Sequence, residues 1–234
     1  MADKKSKKII IAMAVCLLAA AIAAISIIVF SRKTYTVTFY SDDDKVLSID
    51  AVNRNDCASP PNDPQISYGN VFLKWDKDFS KVKKDLDIYP VCESFDGKKN
   101  VFSTSGAYAV SNQSANVHLA LSGDVCTAGF EISIEYDSKS LALESVYNED
   151  GDIIYNTDTA GKIILNLASA QNITGDVDIC NLKFGVLCES GEYPLKINVE
   201  KVFTVNEDNS ITATDFNVID SSVFVISQGG NNEK

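Results

Sequence analysis

GFEISIEYDSKSLALESV, residues 129–146, is the stretch on which the fold turns. Phe130, Ile132, Ile134 and Tyr136 alternate with Glu131, Ser133 and Glu135, and a period of two sends the two sets to opposite faces of a strand. The strand is therefore buried on one side only. Asp137, Ser138, Lys139 and Ser140 form a polar turn, after which Leu141, Leu143 and Val146 return to the core on a shorter segment. The other face, carrying Glu131, Ser133 and Glu135, is left as an acidic, small-residue strip for water or a partner.

The same short-strand pattern recurs around it, at 108–110, 116–122, 153–156, 162–169, 178–186, 193–199 and 222–226. Turn residues separate these segments, as in Gly151-Asp152, Ala160-Gly161, Gly175-Asp176 and Ser190-Gly191. No stretch of residues 101–226 sustains helical periodicity. The expectation is a two-sheet sandwich or jelly roll over residues 101–227, closed by a polar tail at 228–234.

Upstream the pattern changes twice. Lys4, Lys5, Lys7 and Lys8 precede residues 9–30, an uncharged run in which only Ser26 is polar, and Arg32 and Lys33 follow. At 1.5 Å per residue the run reaches about 33 Å, enough for a bilayer core. A cleaved signal peptide is the competing reading, with Ala21-Ile22-Ala23 as its site; cutting there would leave 25–30 exposed, and signal cores are only about 7–15 residues long. Residues 1–33 are therefore expected to be a cytoplasmic tail and uncleaved anchor. The lysine bias places the N-terminus in the cytoplasm and the rest outside the cell membrane. Residues 34–94 read as a small module. Tyr35, Val37 and Phe39 alternate with polar neighbours, a polar turn spans 41–45, and Pro60, Pro61 and Pro64 interrupt regular structure. Residues 95–100 read as a polar linker.

The totals narrow the functional classes. Of the 21 basic and 32 acidic side chains, six and one lie in residues 1–33, leaving a net −16 beyond. Such a field disfavours nucleic acid and adsorption to anionic lipid. Six cysteines show no CxxC or zinc-site spacing; most are expected as small buried hydrophobes, with one bridge, Cys57 to Cys92, left open. Three acids, Asp42, Asp43 and Asp44, share one turn without the spacing of a calcium loop. His118 is the only histidine and sits between Val117 and Leu119 without a nucleophile motif. No catalytic residues, metal ligands or cofactor are expected.

Two resemblances sharpen this. YTVTFYSDDDKVLSIDAV, the prolines and FLKWDKDFSKVKKDLDIYPVCE together resemble the internalin-type B repeat, a β-grasp-like module of bacterial surface proteins, with Trp75-Asp76, Phe79-Ser80 and 82–88 in order. The block at 129–146, TAGKIILNLAS, ITGDVDICNLKFGV, GEYPLKI and DSSVFVI together resemble a cohesin, the module by which bacterial scaffolds hold dockerin-bearing enzymes. The resemblances imply a mainly β protein, a nine-stranded jelly roll behind a β-grasp-like module, to which the transmembrane helix read from residues 9–30 is added. The cohesin resemblance also implies that a dockerin binds the sheet containing the strands after 129 and 161. Strand parity then offers Glu131, Ser133 and Glu135, and Ile164, Asn166 and Ala168 with Ser169 at the rim. Tyr155 and Thr157 are expected to join them from the preceding strand. Ile164 is either an apolar anchor ringed by polar groups or a residue covered by a loop.

The expected function is non-catalytic: binding of dockerin-bearing enzymes or scaffolds at a bacterial surface, with polysaccharide engaged indirectly. The alternative is direct carbohydrate binding or adhesion, which calls for exposed aromatics in a row. A jelly roll that binds nothing is the third reading.

Overall fold

In the computed structural model, residues 33–149 and 153–227 are described. The expected membrane span, the polar tail and the Gly151-Asp152 turn lie outside them.

The N-terminal module opens with a hairpin, β1 (Thr34–Tyr40) antiparallel to β2 (Val46–Asn53). β3 (Asn70–Trp75), β4 (Leu86–Ile88) and β5 (Pro90–Ser94) complete it. β4 runs parallel to β1, giving the sheet order β2-β1-β4, while β3 and β5 pair separately. The alternation of β1 explains the packing: Tyr35, Val37 and Phe39 are buried against Trp75, Phe79, Val82 and Ile88. Phe39 meets the rings of Trp75 and Phe79 edge-on at 5.1 and 5.2 Å, the geometry that ring quadrupoles favour.

The sandwich is built from β6 (Asn100–Thr104), β7 (Ala107–Val110), β8 (Ser114–Gly123), β9 (Cys126–Glu135), β10 (Leu141–Tyr147) and β11 (Ile154–Asn156). β12 (Lys162–Thr174), β13 (Val177–Val186), β14 (Gly191–Val205), β15 (Ile211–Ala213), β16 (Phe216–Ile219) and β17 (Ser221–Ile226) follow. One sheet has the order β10-β13-β8-β6-β16, the other β11-β12-β9-β14-β17-β7 with β15 on the flank of β14. Phe130, Ile132 and Ile134 of β9, Ile163, Leu165 and Leu167 of β12, and Leu195 and Ile197 of β14 face Val117, Leu119, Leu121, Leu182 and Phe184 of the other sheet. The alternation read from residues 129–146 is thus the centre of the core.

The strand count exceeds the expected nine: twelve strands form the sandwich among the described residues. β6, β15 and β16 carry no alternation to read. All five residues of β6 are buried, because Phe102 faces the sandwich core while Val101 packs outward with Val71, Leu73, Phe95 and Ile219. Phe95 belongs to the stretch expected as a linker, yet it packs into this cluster, and its amide donates to the Gly69 carbonyl at 2.9 Å. The Gly106 amide likewise donates to the Phe72 carbonyl at 2.8 Å. A methyl group on Gly106 would lie 1.9 Å from the Leu73 carbonyl oxygen, so the two modules meet backbone to backbone there.

The five described cysteines are free thiols, so Cys57 and Cys92 are not bridged. Burial pushes both thiols up to about 11, and Cys180 up to about 12. Asp42 accepts hydrogen bonds from the Ser67 amide, the Ser67 hydroxyl and the Asn70 side chain at 2.9, 3.0 and 3.3 Å. Asp43 pairs with Lys45 at 2.6 Å. Two of the three acids in the turn therefore hold their own module together.

Candidate protein-binding face

The outward side of the longer sheet is divided in two. At one end, Tyr108 of β7 stacks on Phe224 of β17 with centroids 4.8 Å apart. Phe79 and Phe72 of the N-terminal module approach the Tyr108 ring at 5.5 and 6.5 Å, and its hydroxyl accepts the Trp75 N–H at 2.9 Å. Burial raises the Tyr108 hydroxyl to about 12, against that hydrogen bond, which lowers it. The module thus covers this half. The other half, β11-β12-β9-β14, is free of it.

Register defines what the open half presents, because directly opposed residues of antiparallel strands share a face. One row runs Ile154, Asn166, Glu131, Lys201; the next runs Asn156, Ile164, Ser133, Asn198; a third runs Lys162, Glu135, Lys196. Ala168 extends the β12 column opposite Gly129, and Phe203 of β14 lies on the far side of that glycine. A methyl on Gly129 would sit 2.6 Å from the Phe203 Cζ and 2.5 Å from the Leu167 carbonyl oxygen, so the missing side chain lets the ring lie against the strand. β12 then departs from β9: residues 169–172 stand against Ala128 alone before pairing resumes at Ile173 with Thr127. Asn172 fixes the bulge by exchanging hydrogen bonds with the Val205 amide and carbonyl at 2.9 and 2.8 Å. Ser169, on the exposed rim, accepts the Gln171 amide at 3.2 Å.

Of the residues expected on this face, Glu131, Glu135, Ile164, Asn166 and Ala168 lie on it, with Ser169 at its edge. Ile164 is partly exposed. Ser133 shares the face but is 1% exposed, and its hydroxyl has no hydrogen-bond partner. Its short side chain on a central strand is overshadowed by Ile164 and Asn198 on either side. Tyr155 pairs with Leu165, a core residue, so it points to the opposite side and is half-exposed only because β11 is an edge strand. Thr157 falls beyond the end of β11. Ile154, 74% exposed, and Asn156 hold the positions expected for them. Ile153 is buried, and a one-residue offset inverts a strand's faces.

The strip is also less acidic than β9 alone implies. Lys201 lies 3.8 Å from Glu131, and Glu135 is flanked by Lys162 and Lys196. A bulge at Glu200 shifts the register between Val199 and Lys201, so simple alternation along β14 does not bring Lys201 to this face. The strand expected at 193–199 stops short of Lys201 and Phe203, and no residue of β14 was expected on this face. The signal lay in the alternation resuming, one residue out of phase, after Glu200.

His118 belongs to the other sheet, its Nδ1 3.3 Å from both the Asn181 side-chain oxygen and Asp178. Among the described residues no group of three or more His, Cys, Asp or Glu is placed to hold a metal. The arrangement on the open half is therefore an apolar pair, Ile154 and Ile164, among amides and mixed charges. That chemistry suits contact with another surface rather than bond-making.

No protein-family model matches the sequence, and no curated protein does. Solved structures do. The seventh ScaB type I cohesin from Pseudobacteroides cellulosolvens superposes with a TM-score of 0.52 at 16% identity, over 58% of this chain and 98% of that one. A non-cellulosomal cohesin from the archaeon Archaeoglobus fulgidus gives 0.48 at 16% identity, over 55% and 92%. A type I cohesin–dockerin complex from Clostridium thermocellum gives 0.46 at 16%, over 55% and 100%. The first of these establishes a cohesin-like fold for a little over half of the chain.

Proposed function

We propose that the open half-sheet β11-β12-β9-β14 docks a dockerin-bearing protein, and that the chain is a non-catalytic tether for polysaccharide-degrading enzymes or scaffolds at a bacterial surface. The observation that carries this is the apolar pair Ile154 and Ile164, bordered by Asn156, Asn166, Glu131 and Lys201, on a cohesin-like sandwich. An apolar centre with a hydrogen-bonding rim is how protein interfaces concentrate their affinity. In this reading residues 9–30 span the membrane as an uncleaved anchor. Residues 34–94 are an internalin-type B repeat that carries the sandwich outward. Direct glycan binding is less favoured: among the described residues the exposed rings Tyr68, Tyr147, Tyr155 and Phe216 come from separate elements, and Trp75 is buried.

The test uses the full chain as bait against the secreted proteins of the source organism, alongside a polysaccharide panel. Capture of a dockerin-bearing protein, lost in a Glu131→Arg, Asn166→Arg double variant and kept in Lys183→Glu on the other sheet, supports the reading. Binding to polysaccharide with no dockerin captured overturns it.

A further inference from the structure

The acidic total of the chain conceals a basic pole on the N-terminal module. The carbonyl of Lys33 accepts the Arg54 amide at 2.9 Å, which ties the start of β1 to the end of β2. The next residue, Asn55, donates to the Val82 carbonyl at 2.8 Å, and the Val82 amide returns to the Asp56 carbonyl at 2.9 Å. Lys81 and Lys83 flank Val82, with Lys84 following, and all three are exposed, as is Lys33. Asp85 accepts the Thr36 amide at 2.9 Å, closing the ring of segments around the beginning of β1. Four exposed lysines, Lys33, Lys81, Lys83 and Lys84, thus gather at one end of the module. The acids brought there by these same contacts are Asp56 and Asp85.

The opposite end has the opposite sign. β1 runs seven residues, about 20 Å at strand rise, to the turn holding Asp42, Asp43 and Asp44. Asp42 is bonded to Ser67 and Asn70, and Asn70 pairs with Ser94, where the chain leaves the module. The chain therefore enters at a basic pole and leaves beside an acidic one. What precedes the entry is the uncharged run 9–30, followed only by Ser31, Arg32 and Lys33.

We propose that this basic pole is a membrane-contact surface, seated on anionic phospholipid headgroups where the chain emerges from the bilayer. The proposal rests on the reading of residues 9–30 as a membrane span and adds an orientation to it. Three residues separate the run from β1, so the pole lies within about 10 Å of the headgroups, comparable with the Debye length of about 8 Å at physiological salt. Cations at that distance are attracted to anionic lipid, while the acidic end and the sandwich are turned away. The net −16 describes the far field only. A membrane reads the nearest pole.

The full chain is mixed with vesicles of phosphatidylcholine alone or with about one-third phosphatidylglycerol, floated, and labelled with a water-soluble amine-acylating reagent, the sites being quantified by mass spectrometry. Flotation with the neutral vesicles reports the span; labelling reports the pole. In floated chain, Lys33, Lys81, Lys83 and Lys84 should label about threefold or more slowly in the anionic vesicles, with recovery at 0.5 M salt. Lys139 and Lys183 on the sandwich should label equally in both. Equal labelling of the pole lysines in the two lipids overturns the proposal with the span intact. Should the chain fail to float with neutral vesicles, the span reading falls. The pole is then decided by salt-sensitive flotation with the anionic vesicles: loss in a Lys81→Glu, Lys83→Glu, Lys84→Glu variant supports it, and no flotation overturns it.

Discussion

Gly129→Ala is a one-methyl change whose cost can be worked from the backbone. Gly129 lies on the central strand β9, between Ala168 of β12 and Phe203 of β14. The added Cβ would stand 2.6 Å from the Phe203 Cζ and 2.5 Å from the Leu167 carbonyl oxygen. The ring is the far end of a side chain and can swing away. The carbonyl is main chain in the neighbouring strand, so relief there requires β9 and β12 to part locally. Overpacking of this kind costs about 1–3 kcal/mol, and the stiffer unfolded chain returns about 0.4–1 kcal/mol. A net loss of about 1–2 kcal/mol is expected, a fall in Tm of about 2–8 °C for a chain of this size. Urea unfolding should be followed by far-ultraviolet circular dichroism, because Trp75 fluorescence reports the other module. Adding Phe203→Ala separates the two contacts. If the carbonyl dominates, most of the penalty of the alanine persists in the Phe203→Ala background. A Gly129→Ala variant as stable as the parent would refute the reasoning.

Ser133→Ala should leave the urea midpoint unchanged or raise it, by up to about 1 kcal/mol of stability, because the buried hydroxyl has no partner. Tyr108→Phe removes the acceptor for the Trp75 amide; exchange at that amide should quicken by about tenfold or more, since an unsatisfied buried donor costs about 1–3 kcal/mol. The thiols of Cys57, Cys92 and Cys180 are raised to about 11, 11 and 12, above the unfolded value of about 8.5. The unfolded chain therefore loses these protons first. Their contribution is full below about pH 8.5 and is lost as pH rises toward 11–12, so Cys180→Ala should show a shallower alkaline fall in urea midpoint than the parent.

What the sequence made legible was whatever one strand says about itself. Phe130, Ile132 and Ile134 alternate with polar neighbours without interruption, and Leu165 and Leu167 flank Asn166, which sets the phase of β12 despite the apolar Ile164, so inward and outward sets could be separated on β9 and β12 before any pairing was known. Pairing itself is non-local. Of the lysines that temper Glu131 and Glu135, Lys196 and Lys201 arrive from β14 some sixty to seventy residues later, and the bulge at Glu200 shifts the phase of Lys201. On β11 the contiguous Ile153, Ile154 and Tyr155 left two phases open, and only the pairing of Tyr155 with Leu165 selects between them. β6 was invisible for another reason. It is buried on both sides, by its own sandwich and by the N-terminal module, and such burial erases alternation.

Titration calorimetry of the full chain against a purified dockerin-bearing protein, in parent and Ile164→Arg forms, tests the docking face most directly. A buried charge at the centre of the open half-sheet should weaken binding by about 100-fold or more, with Lys183→Glu within about threefold of the parent. Equal affinity for the parent and Ile164→Arg chains would contradict the assignment of this face.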